Sequence, residues 1–162
     1  MARIDLPEGD GLEVGRALVL APHFVDVVVG YEKAVAQSGL DPRLHELVRY
    51  RIAQLNQCTV CLGFRRPDSG LDEDLLAQVA TFRTSEDLTD LEKSALTFAE
   101  LFCTDSAAIP DELLATLQDG LGPAGVTDLA LVVGKYLAMG RFLQVLGLDQ
   151  TCAIDPARLA QR

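Results

Sequence analysis

Apolar side chains along this chain recur every three or four residues, and the alternation of a half-buried strand is nearly absent. Leu88, Leu91, Ala95, Phe98 and Phe102 mark one face of a helix. Thr89 and Glu92 read as its capping box, because each side chain can satisfy an N–H left unpaired at that end. Leu71, Leu75, Val79 and Phe82 form a shorter stripe, with Ser69 and Asp72 as start signals. Pro110 opens a helix over 111–118, which Gly120 would close in a left-handed turn. Thr127 to about Leu146 is the most apolar segment and predicts a buried central helix. Residues 13–20 and 24–37 read as two helices broken at Pro22, and Asp41-Pro42 supplies the cap and first-turn proline of the next. The β-branched run Val27-Val28-Val29 could be a strand alone, but its helical flanks outweigh that. The pattern predicts one all-α domain over residues 1–162, least ordered over its first ten residues and over 155–162.

Composition agrees and removes several functions. At 162 residues, 49% hydrophobic and 23% charged, the chain can bury roughly 70% of its unfolded surface without staples. Fourteen basic against 24 acidic residues give a net charge of −10, which argues against nucleic acid as a partner. The longest stretch without a charged residue, Ile52 to Phe64, is shorter than the about 20 residues of a membrane span. The N-terminal residues lack the apolar run of a signal peptide, so the expected setting is cytoplasmic and away from membranes.

The candidate chemistry lies between Asp41 and Arg66. On a helical wheel Leu44, Leu47, Val48, Ile52 and Leu55 share an arc, and Arg51 falls inside it. A cation there needs a partner, so a paired, structural Arg51 is expected over one that snorkels to water. Asn56 reads as an N-cap that would place Cys58 and Cys61 in the first turn of a new helix, with Arg65 on the same face. The helix dipole and the fixed charge of Arg65 would both favour a thiolate. Three readings of the pair remain: a zinc site, two inert core cysteines, or a redox-active dithiol. Zinc lacks ligands, since His23 and His45 have no suitable spacing to the pair, and the redox reading is the strongest. Cys103 and Cys152 read as structural or incidental.

The string Glu46-x4-Arg51-x-x-Gln54-x-Asn56-x-Cys58-x-x-Cys61 resembles the signature of the carboxymuconolactone decarboxylase-like superfamily. More narrowly, it is similar to the alkyl hydroperoxidase D-like branch, in which a glutamate precedes Cys-x-x-Cys and a histidine follows it. The helices over 89–103, from Pro110, and over 128–146 with Tyr136 and Arg141 resemble the family's second half. The resemblance implies an all-α fold of about seven or eight helices and homo-oligomers, commonly dimers, trimers or hexamers. It also implies reduction of a small hydroperoxide, with an external dithiol reductant and no cofactor. Cys61 would attack the peroxide, Cys58 would resolve the sulfenic acid as a disulfide, and Glu46 would belong to the proton relay.

The family's histidine falls on Arg65 here, and a guanidinium cannot relay protons, although it can stabilise a thiolate or pair with Glu46. Val60 is likewise apolar where relatives often carry Tyr or His. Water, or His23 brought close by the fold or by a second subunit, would then handle protons. Two other functions stay open: a decarboxylase-branch lyase acting on a lactone acid, and a catalytically weakened oligomeric protein whose redox pair is structural or regulatory.

Overall fold

The computed structural model describes residues 1–149; Cys152 and the segment 155–162 lie outside the described residues. Seven α-helices and three short 3-10 segments make up the described chain, with no strand among the described residues. They are α1 (Glu13–Val19), α2 (Val25–Ala36), α3 (Pro42–Leu55), α4 (Thr59–Gly63), α5 (Glu73–Gln78), α6 (Asp90–Thr104) and α7 (Asp111–Leu146). The valine run belongs to α2.

Local chemistry sets most of these boundaries. Asp41 caps α3 by accepting from the N–H groups of Arg43 and Leu44, and Thr89 and Glu92 close the capping box of α6. Asp72 caps α5 through the N–H of Leu75, while Ser69 serves the turn before it. The turn expected at Gly120 falls two residues later. Gly122 adopts φ 69° and, with Pro123 behind it, breaks α7 into two arms. Gly120 stays helical because Leu91 of α6 packs against it, where a Cβ would come within 2.5 Å of Leu91 Cδ1. The second arm thus starts earlier than the apolar pattern indicates.

Helices α3, α6 and α7 pack on one another, joined by α2. Their main core contains Val48, Ile52, Ala95, Phe98, Leu129 and Val133. The Leu75–Val79–Phe82 stripe closes a second cluster against Leu47 and Leu96. A third cluster joins Ala17 of α1, Cys58, and Leu143 and Leu148 at the end of α7.

The first ten residues, expected to be least ordered, are tied down. The Arg3 N–H donates to Leu146 O (2.8 Å), its guanidinium to Val145 O (3.0 Å), and Ala2 and Leu6 pack on the third cluster. Asp149 also caps α1 from a distance of 136 residues in sequence, accepting from the N–H groups of Glu13 (2.8 Å) and Val14 (2.9 Å). Glu13 accepts the N–H of Asp149 in return (2.6 Å). By length and composition α7 is apolar enough to cross a bilayer, but its break at Gly122 and its packing on α3 and α6 make it the central helix of this core.

Candidate functional site

Helix α3 ends in a turn that delivers the cysteine pair. Gln57 takes a left-handed conformation (φ 52°), its N–H donates to Gln54 O (3.1 Å), and the Cys58 N–H reaches back to Ala53 O (3.1 Å). This pattern satisfies carbonyls that a helix end otherwise leaves open, and it sends Cys58 inward. Asn56 therefore closes α3 instead of capping α4. Its amide donates to Tyr136 O (3.1 Å) and sits against Gly140, where a Cβ would fall 2.3 Å from Asn56 Nδ2. The cap of α4 is Cys58 itself, whose sulfur accepts the N–H of Cys61 at 3.3 Å.

Cys58 and Cys61 are joined by a disulfide with their Cα atoms 5.2 Å apart. Cys58 is fully buried, whereas Cys61 is partly exposed. Cys61 lines a pocket of about 440 Å³ whose walls include Val14, Val60, Phe64, Met139 and Leu143, with Glu32, Arg49, Asn56, Lys135 and Tyr136 as its polar groups.

Glu46 stands behind this wall and does not line the pocket. It is fully buried, and both carboxylate oxygens accept from Arg49, each at 2.6 Å. Arg49 donates further to Cys61 O (2.5 Å) and Phe64 O (2.9 Å) and lies over the Phe64 ring. The ion pair thereby holds the second half of the redox loop, from Cys61 to Phe64.

Helix α4 ends at Gly63, so Arg65 does not share a helical face with the cysteines. Its guanidinium pairs with Glu73 (2.8 Å), donates to Leu62 O and Phe64 O, and lies over the Tyr50 ring. Glu73 holds the Arg65 guanidinium above its usual range. Arg65 does not line the pocket. His23 lies exposed beside Phe24 in the 3-10 turn before α2. Arg51 is paired as expected, with Glu100 and Gln54. Burial pushes the Cys103 thiol up to about 11.

Two charged groups at the site, Arg49 and Lys135, escaped the sequence reading. Arg49 follows Glu46 by three residues, a spacing that puts them side by side on a helix. Lys135 is the lone charge in the apolar run from Leu129 to Gly140. It is buried, pairs with the exposed Glu32, and sits 4.1 Å over the Tyr136 ring. Burial lowers its ammonium from the usual lysine value, with Glu32 opposing. The Tyr136 hydroxyl, pushed up to about 12 chiefly by burial, shares a hydrogen bond with His45 Nε2 (3.1 Å), and His45 Nδ1 meets Ser38 Oγ (3.2 Å). Burial, then the charges of Arg66, Arg49 and Lys135, depress His45 to about 4.

An all-α domain that presents one sulfur of a Cys-x-x-Cys disulfide to an apolar pocket defines the class: a helical protein with a redox-capable cysteine pair. The comparisons place it more closely. The sequence model of the carboxymuconolactone decarboxylase family matches residues 22–101. The uncharacterized protein YnjA of Escherichia coli (strain K12) is 30% identical over 124 residues, covering 74% of this chain and 67% of that protein. The uncharacterized protein YdfG of Bacillus subtilis (strain 168) is 24% identical over 132 residues, 79% of this chain and 90% of its own. Among solved structures, a protein of unknown function from Agrobacterium tumefaciens, described as a putative antioxidant defence protein AhpD, superposes with a TM-score of 0.75 at 20% identity, covering 91% of this chain and 96% of that one. An uncharacterized peroxidase-related protein with an alkylhydroperoxidase AhpD core, from Ralstonia eutropha JMP134, gives 0.72 at 19%, covering 90% of each. The chain belongs to the carboxymuconolactone decarboxylase-like superfamily and has the alkyl hydroperoxidase D-like fold.

Two stability measurements check this wiring. Glu46→Gln leaves the Arg49 charge buried without its partner, a change that costs roughly 3–5 kcal/mol; urea unfolding should show it, and a loss below about 1 kcal/mol would contradict the clamp. His45 binds a proton more weakly folded than unfolded, so its contribution is complete above about pH 7 and falls as pH drops from 6.5 toward 4. The loss is roughly 2 kcal/mol by pH 5. His45→Gln should flatten the difference between urea midpoints at about pH 7.5 and 5, and an unchanged difference would reassign it to other groups.

Proposed function

We propose that this protein is a thiol-dependent, peroxidase-like oxidoreductase that reduces organic hydroperoxides through a Cys58/Cys61 dithiol–disulfide cycle, recharged by an external dithiol. One observation carries the reading: of the two bonded sulfurs, Cys58 is sealed and Cys61 belongs to the wall of an apolar pocket. The accessible sulfur is the one a peroxide can meet, so Cys61 attacks and Cys58 resolves. Two buried cations, Arg49 and Lys135, line the same pocket and favour a thiolate there. Glu46 serves by holding Arg49 on the loop, and Arg65 by fixing the chain beyond Phe64. Neither function needs a metal or an added cofactor. The cytoplasm, which keeps thiols reduced, is the compartment that suits such a cycle.

The working form is a homo-oligomer. Val19, Leu20, Phe24, Val27 and Val29 are exposed, as is Leu131 on α7, and only 33% of the most apolar window of α7 is buried within one chain. Sedimentation equilibrium should give a multiple of the single-chain mass, and a single-chain mass at micromolar concentration would remove this part.

Thiol counting tests the chemistry. The reduced protein should lose two thiols rapidly on adding stoichiometric organic hydroperoxide, and Cys61→Ser should abolish the loss. Reaction needing millimolar peroxide over hours would instead favour a structural or regulatory pair. Turnover of a lactone acid that survives Cys58→Ser would move the protein to the lyase branch.

A further inference from the structure

The peroxidase cycle needs a proton at one moment, and the groups usually looked to for it are turned away. Opening an O–O bond expels an alkoxide, which leaves readily only if it is protonated as it departs. Arg65 occupies the position of the missing histidine, yet it is engaged with Glu73 and two backbone carbonyls and does not line the pocket. Both oxygens of Glu46 are taken by Arg49 behind the wall. His45 is enclosed between Ser38 and the Tyr136 hydroxyl, also outside the pocket. Of the pocket's own polar groups, Arg49 is spent on Glu46 and two carbonyls and keeps its protons at any ordinary pH.

We propose that Lys135 donates the proton to the oxygen that leaves when Cys61 opens a peroxide bond, and that Glu32 passes a replacement proton from solvent to Lys135. This rests on the peroxidase reading and adds two residues to it. Lys135 lines the pocket with Cys61 and is 5% exposed; its ammonium is paired with one carboxylate and sits 4.1 Å over the Tyr136 ring. That partner, Glu32, is 59% exposed at its side chain and spans from the buried amine to water. The groups around Lys135 are Glu32 from α2, Arg49 from α3, Cys61 from α4 and the neighbouring Tyr136, with His45 behind the tyrosine. Burial and the positive charge of Arg49 make the ammonium a readier acid than an exposed lysine, and Glu32 keeps it charged until it is used.

The Cys61 thiolate forms an S–O bond to the terminal oxygen of RO–OH as the O–O bond breaks. Sulfur gives up two electrons and becomes a sulfenic acid, and the departing RO⁻ takes a proton from Lys135 and leaves as an alcohol. The neutral amine regains a proton from water by way of Glu32. The Cys58 thiol then displaces hydroxide from the sulfenic sulfur, its own proton completing a water molecule, and the external dithiol reduces the disulfide.

The experiment pairs two reactions of the fully reduced protein in wild type, Lys135→Arg, Lys135→Met and Glu32→Gln. One is oxidation by cumene hydroperoxide, followed by rapid mixing. The other is alkylation by iodoacetamide, in which iodide leaves without a proton. Lys135→Arg keeps the charge and the Glu32 pairing but cannot release a proton, so peroxide oxidation should slow by about 100-fold. Its alkylation rate should stay within about threefold of wild type, as expected of an unchanged thiolate field. Lys135→Met should slow the peroxide reaction at least as much, and Glu32→Gln should slow it less. An oxidation rate unchanged in Lys135→Arg, or oxidation and alkylation falling in parallel, overturns the proposal; an unchanged Glu32→Gln removes the glutamate from it. A wild-type protein whose cysteines resist the peroxide overturns the peroxidase reading itself, and this inference with it.

Discussion

The site depends on one buried ion pair. Glu46 and Arg49 lie a single turn apart on α3, shut away from water, where neither charge could persist alone. What makes the pair tolerable is that its spare donors are used: the guanidinium also reaches the carbonyls of Cys61 and Phe64. Those carbonyls come from the end of a five-residue helix, too short to sustain itself and obliged to leave its last acceptors open. The arginine thus serves as a side-chain cap for α4, anchored by a carboxylate on a helix that belongs to the main core. Remove that anchor, and the carbonyls of Cys61 and Phe64 lose the guanidinium that ties this half of the loop to α3.

Around this clamp the chain arranges a gradient of wetness. The left-handed turn at Gln57 reverses direction tightly enough that Cys58 drops into the cluster of Ala17, Leu143 and Leu148. Three residues later Cys61 faces the pocket. The close approach of Asn56 to Gly140 pins the same turn against α7, the helix that also brings Lys135 and Tyr136. Apart from the cysteine loop itself, the pocket's walls therefore stand on longer helices, with α1 latched in place by Asp149.

The helices were legible because their signals are local. Asp41-Pro42 and the Thr89/Glu92 box act within a turn or two and form as the pattern indicates; the Leu71–Phe82 stripe buries together, but its α-helix stops at Gln78 and Val79 and Phe82 stand on a 3-10 segment. The disagreements arise where a tertiary contact overrides a local preference. Gly120 looks like a helix end until Leu91 is seen occupying the space beside it. Asn56 looks like a cap until Tyr136 supplies a carbonyl for its amide. The cysteine pair itself could be read from spacing, but its surroundings could not. Arg65 stands near Cys61 in sequence yet turns toward α5, while Lys135, more than seventy residues away, faces the same pocket. Sequence proximity ranks such charges poorly once the helix between them stops after five residues.

The unequal burial of the two sulfurs has a kinetic consequence. On the proposed cycle only Cys61 is open to collision, so the oxidant and the reductant that later undoes its work must call at the same doorway. They cannot both be seated at once. Turnover would alternate between half-reactions, giving parallel lines in double-reciprocal plots, and a bulky reductant would be limited by the width of that single entrance.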